Sequence, residues 1–166
     1  MEMKSSKKFS MVICCILLIA CKHGSTNSSE CKFDYKALAK NQTVAGLKEG
    51  MWVDFMDSLG YHTTEQKAAL YLVDSFKAGK KVGMEKMYYK NGVLCMETPY
   101  VDGLKNGVSK KYYPDGKLLS EMSYENDHLE SAYKTYYENG KLKSSINFTD
   151  SGPVIKKYDE KGKPLN

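Results

Sequence analysis

A strict 24-residue period constrains this chain more than any other feature. Tyr88, Tyr112 and Tyr136 recur at that spacing. So do Tyr89, Tyr113 and Tyr137, then Gly92, Gly116 and Gly140, then Leu94, Leu118 and Leu142, then Tyr100, Tyr124 and Phe148. Self-similarity at a period of a few tens of residues marks a stacked array of supersecondary units. Each unit in such an array buries its apolar surface only against its neighbours.

The unit reads as a β-hairpin. Lys90-Asn91-Gly92, Pro114-Asp115-Gly116 and Glu138-Asn139-Gly140 are turn signals flanked by alternating residues, the mark of a hairpin with a bulge. Pairing the residues beside each three-residue loop sets Tyr113 against Lys117, Tyr112 against Leu118 and Val108 against Met122. Strand residues alternate faces. Val108, Tyr112, Leu118, Met122 and Tyr124 are therefore expected on one largely apolar face. Ser109, Lys111, Tyr113, Lys117, Leu119 and Glu121 are expected on a mixed opposite face. Lys86, Lys110 and Lys134 interrupt the apolar face. Their stems can cover apolar neighbours while the ammonium groups reach water, as on an open one-layer sheet.

The expected fold is all-β: an elongated antiparallel sheet of consecutive β-hairpin repeats over residues 46–166, preceded by an N-terminal signal segment. The flanking units are degenerate, as terminal repeats often are. Gly50, Phe55 and Phe76 align with Gly83, Tyr88 and Tyr100. The residues between Gly60 and Leu70 form a loop or short helical turn, and Lys157 to Leu165 closes the array as a cap. One short helix is expected around Tyr35 to Lys40.

Residues 1–20 read as a secretory signal. Lys4, Lys7 and Lys8 precede an apolar run from Phe9 to Ala20 that is shorter than the roughly 20 residues a spanning helix needs. Leu18-Ile19-Ala20-Cys21 resembles the lipobox of bacterial lipoproteins. That resemblance implies cleavage before Cys21 and acylation of its sulfur and amine. Residues 21–45 would then hold the lipidated cysteine, a polar tether and a short N-terminal segment. Lys22 stands where some diderm bacteria use Asp to retain lipoproteins in the inner membrane, so the outer membrane is favoured if the organism is diderm. Cys31 and Cys95 remain as thiols of an exported domain; export permits a disulfide, and their pairing stays open. The net charge is +5, with every one of the 25 basic residues a Lys. Arg is the preferred reader of phosphate and guanine, so no nucleic-acid partner is expected.

The pattern Gly-x4-Tyr-Tyr-x2-Gly-x-Leu, with an aromatic eight residues after the Gly, resembles the variant MORN repeat. The resemblance extends over residues 46–162 and implies consecutive hairpins in one elongated sheet. Many bacterial proteins with such repeats are similar to the YwqK-type group of toxin–antitoxin antitoxins. The export signal departs from the cytosolic setting of an antitoxin.

No pattern of cofactor, metal or nucleophile stands out. His23, His62 and His128 lack zinc-ligand spacing. No phosphate-cradling Gly loop or nucleophile elbow occurs. Glu97 and Glu121 recur at the period and could stack as a carboxylate pair, or stand as exposed strand residues. Tyr89, Tyr113 and Tyr137 form a ladder that either binds a protein or glycan or stacks to hold adjacent hairpins together. With the single Trp52 they are the candidate binding residues. The expected function is a non-enzymatic lipoprotein of the bacterial cell envelope that anchors through Cys21 and presents a Tyr-rich sheet to a protein or glycan. The alternative is an antitoxin- or immunity-like protein that neutralises a toxin by direct binding. An envelope glycan-acting enzyme ranks third.

Overall fold

The computed structural model describes residues 39–165. The signal segment, Cys21, the tether, Cys31 and most of the expected helix around Tyr35 lie outside the described residues. The rest is one open antiparallel sheet. Its strands are β1 (Gln42–Val44), β2 (Leu47–Met56), β3 (Leu70–Lys77), β4 (Lys80–Lys81), β5 (Gly83–Tyr89), β6 (Leu94–Val101), β7 (Leu104–Lys105), β8 (Gly107–Tyr112), β9 (Leu118–Glu125), β10 (His128–Tyr136), β11 (Leu142–Thr149), β12 (Gly152–Tyr158) and β13 (Pro164–Leu165). Spatial order follows chain order, with β4 and β7 as short extensions pairing β3 and β6. A 3-10 turn at Glu65–Lys67 fills the enlarged first hairpin, as its extra residues imply.

Two kinds of turn alternate along the sheet. At one margin lie Ala45-Gly46, Ala78-Gly79, Asp102-Gly103 and Asn126-Asp127, every residue with positive φ. Two such residues in succession make a type I′ turn, whose twist matches that of the flanking strands. These turns stack: the N–H groups of Gly79, Gly103 and Asp127 donate to the carbonyls of Lys48, Lys81 and Lys105. At the other margin are the three-residue loops. Tyr89, Tyr113 and Tyr137 donate N–H to Val93, Lys117 and Lys141, closing each loop. The Asx side chains of Asn91, Asp115 and Asn139 accept from the N–H two residues on, a local turn-stabilising bond.

The loop register is as expected, with Tyr112 opposite Leu118. One step further a β-bulge intervenes. It places Lys111 opposite Ser120, Ser109 opposite Met122 and Val108 opposite Ser123. The expected Val108–Met122 pair is therefore corrected, because a bulge moves every later residue of its strand to the other side. The same shift occurs between Met87 and Tyr88 and between Thr135 and Tyr136.

The predicted apolar set is thus divided between two mixed faces. One carries Tyr88, Tyr112 and Tyr136 with the cross-strand row Lys86–Glu97–Lys110–Glu121–Lys134; we call it the ladder face. The other carries Trp52, Phe76, Tyr100, Tyr124 and Phe148; we call it the aromatic face. By alternation along β5, β8 and β10, Tyr89, Tyr113 and Tyr137 also project on the aromatic side.

The sheet packs best near its first hairpins. Val53, Val73 and Tyr88 form a buried cluster on the ladder face, flanked by Ala39, Met51, Phe55 and Leu94. Further along, small hydroxyls take interior positions. Thr98 and Ser109 are buried and bond each other at 2.9 Å. Thr135 and Ser144, both half-buried, also bond each other, at 2.7 Å. Mutual bonding removes the cost of burying these groups. At the first edge Asn41 stands in for a missing strand. Its side chain accepts from the Val53 N–H at 2.8 Å and donates to the Val53 carbonyl at 2.9 Å. That satisfies groups which would otherwise invite another strand.

Candidate functional site

The tyrosine ladder is built by the loops. Each closing Tyr is held at a loop margin by its own N–H, and the side chains of Tyr113 and Tyr137 reach the next repeat. The Tyr113 hydroxyl donates to the Tyr136 carbonyl at 2.8 Å, and the Tyr137 hydroxyl donates to the Tyr158 carbonyl at 2.9 Å. Both hydroxyls are thus inter-repeat staples, and both residues remain half-exposed. Lys143 Nζ lies 5.3 Å from the Tyr137 ring centre.

At the turn margin Trp52, Phe76, Tyr100 and Tyr124 each lie close to a lysine. Lys48 Nζ lies 4.3 Å from the Trp52 ring centre and 4.8 Å from that of Phe76. Lys81 sits 5.1 Å from Tyr100, and Lys105 5.1 Å from Tyr124. These are cation–π distances, produced by cross-strand pairs such as Phe76 with Lys81 and Tyr100 with Lys105. Trp52 also meets Phe76 edge to face at 6.2 Å. Its indole N–H is buried with no acceptor among the described residues.

At the turn margin lies an open cleft of about 620 Å³ lined by Gly79, Lys80, Lys81, Tyr100, Gly103, Lys105 and Asp127. Beneath it Lys81 bridges two buried carboxylates. Its Nζ is 3.1 Å from Asp74 Oδ1 and also bonds Glu85 Oε2. Asp74 is only 3 % exposed. Burial raises its pKa, Lys81 pulls it back, and the Glu85 carboxylate pushes it up again, to about 6. Burial works against the Lys81 charge, but the two carboxylates prevail and its pKa is raised. Burial and Glu85 push the Tyr100 phenol up to about 12.

The recurrent glutamates do not form a pair. Lys110 stands between Glu97 and Glu121 in the cross-strand row, so an acid–base couple between them is ruled out by register. Each accepts instead from the next repeat's tyrosine: Tyr112 to Glu97 at 2.7 Å and Tyr136 to Glu121 at 2.8 Å. His62 is exposed and bridges to Met56, while His128 is exposed and pairs with Glu125. Cys95 is a half-buried free thiol. Among the described residues no group of three or more His, Cys, Asp or Glu could hold a metal ion. The structure brings Trp52 and the three ladder tyrosines to one face. The Asp74–Lys81–Glu85 cluster and the lysine–aromatic row had escaped sequence reasoning. The recurrence of Lys81 and Lys105, each five residues from an aromatic across a turn, was the signal that could have found the row.

Fold and surface together define a hairpin-repeat protein with one sheet and two differently equipped faces. Residues 81–102, 105–126 and 129–150 match the MORN repeat variant, so the chain carries three MORN-variant repeats in succession. No curated protein matches the chain.

Proposed function

We propose that the protein is a non-enzymatic repeat scaffold of the bacterial cell envelope, anchored through acylated Cys21, that presents its aromatic face to a protein or glycan. One observation carries the binding reading. Trp52, Phe76, Tyr100, Tyr124 and Phe148 share a face with the Tyr89–Tyr113–Tyr137 ladder, and an open cleft runs beside them. Aromatic rings with polar tips supply contact area at low entropic cost, and tyrosine and tryptophan are enriched at recognition surfaces. The lysines over the rings add donors for sugar hydroxyls or peptide carbonyls. The lipobox-like Leu18-Ile19-Ala20-Cys21 supports the anchor.

The test has two arms. Full-length protein and Cys21→Ala are expressed with labelled fatty acid; label retained only by the wild type supports the anchor. Unlabelled, soluble wild type would refute it and favour toxin neutralisation in the cytosol. For the surface, envelope components captured by the intact chain are compared with those captured by Tyr100→Ala and by Tyr113→Phe with Tyr137→Phe. The Phe pair removes the staples but keeps the rings, so it should retain capture. Undiminished capture by folded Tyr100→Ala would move the binding site off this face.

A further inference from the structure

The margin built from type I′ turns carries a pattern that neither the repeat fold nor the aromatic face uses. Its turns stack in a continuous row. The Leu47 side chain lies over Gly79, and the Lys80 stem lies over Gly103. Adjacent hairpins are about 10 Å apart, two strand spacings. Each turn is flanked by a directly opposed pair on the ladder face. Lys77 faces Lys80, Val101 faces Leu104, and Glu125 faces His128.

The pair flanking the central turn is apolar and open, with Asp102 at the turn tip. Val101 is 55 % exposed and Leu104 40 %, and Met84 and Val108 beside them are also exposed. One hairpin before it stands a pair of exposed lysines; one hairpin after it stands a pair of exposed acids, Glu125 and Glu130. Each pair is unfavourable in isolation. Like charges directly opposite on a sheet destabilise it, as Lys77 and Lys80 are. The Glu125 carboxylate lies close enough to Glu130 to raise the latter's pKa through a shared hydrogen bond and repulsion. Glu49 is engaged by the Ala78 N–H at 2.8 Å, and Asp102 and Asp127 occupy turn tips.

A basic pair one hairpin before an apolar patch and an acidic pair one hairpin after it form a self-complementary surface. We propose that this turn margin is an interface with a second copy of the chain. The two copies run antiparallel about a two-fold axis through the Val101–Leu104 turn, so that Lys77 and Lys80 of each meet Glu125 and Glu130 of the other. Isologous contacts of this kind close into a dimer. Docking buries Met84, Val101, Leu104 and Val108 and relieves both like-charge pairs. The aromatic rings stay uncovered, and of the cleft's lining residues only Lys80 belongs to the interface.

Two differently tagged full-length copies, co-expressed, test this by co-isolation in one detergent throughout. Wild-type copies should co-isolate, and less so at high salt. Lys77→Glu with Lys80→Glu in both copies should reduce co-isolation at least about tenfold, because like-charge juxtaposition costs several kcal/mol. Glu125→Lys with Glu130→Lys should do the same. A copy bearing the first double substitution should co-isolate with a copy bearing the second, at the wild-type level. That recovery cannot come from misfolded variants. Absence of wild-type co-isolation, indifference to charge reversal, or loss without recovery in the mixed pair would each overturn the proposal.

Discussion

Replacing Asp74 by Asn should flatten the pH dependence of stability between pH 4 and pH 7. The native carboxyl titrates at about 6 against an ordinary 3.8, chiefly because burial disfavours its charge. Between those values the folded chain holds a proton that the unfolded chain has released. Stability from this group is therefore complete below pH 4 and disappears as pH rises through 6. The displacement corresponds to about 3 kcal/mol. Of that, about 2 kcal/mol is lost between pH 4 and pH 7, the remainder lying below pH 4. Urea unfolding of the full-length chain, followed by the fluorescence of its one Trp, measures it. That Trp is Trp52, directly opposite Asp74. From pH 4 to pH 7 the wild type should lose about 2 kcal/mol more stability than Asp74→Asn. Titrating groups remote from Asp74 act in both chains and cancel in the difference. Parallel pH profiles would refute the placement of Asp74 in a buried carboxylate cluster.

Three further outcomes follow from the repeat geometry. Gly107→Ala should cost more than Gly116→Ala. Both have positive φ, but a Cβ at Gly107 would sit 3.0 Å from Pro99 Cγ while one at Gly116 meets open space. Thermal unfolding should separate them as about 2–3 against about 1 kcal/mol. Tyr112→Phe and Glu97→Ala should couple by about 1 kcal/mol in a double-mutant cycle, since they share one hydrogen bond; additive losses would disprove the rung. Asn41→Ala should unsatisfy both backbone groups of Val53, lowering stability by about 1–3 kcal/mol and increasing amide exchange at Val53.

The hairpin array was legible because each copy repeats loop, tyrosine pair and leucine at one spacing, so three weak hairpin signals reinforce one another. The bulge was not. A bulge changes which face a residue occupies without changing residue type, and both faces here mix aromatic with charged side chains, so polarity could not reveal the error. Tyr100 and Tyr113 were expected on opposite faces and lie on the same one. Thr98, Ser109 and Ser120 are buried, whereas hydroxyl residues are mostly exposed. Asp74 belongs to the degenerate first unit, where the repeat offers no second copy for comparison.

Because spatial order follows chain order throughout, each strand finds its partner within the segment just before it. No early strand waits for a late one. Chains with local pairing fold quickly, since little loop-closure entropy precedes the reward of contact. This chain can therefore assemble from its first hairpin onward as it is synthesised, each new hairpin using the last as its template. A truncation at any turn would leave a shorter but properly seeded sheet, and a duplicated unit would lengthen it by about 10 Å without disturbing what had already formed.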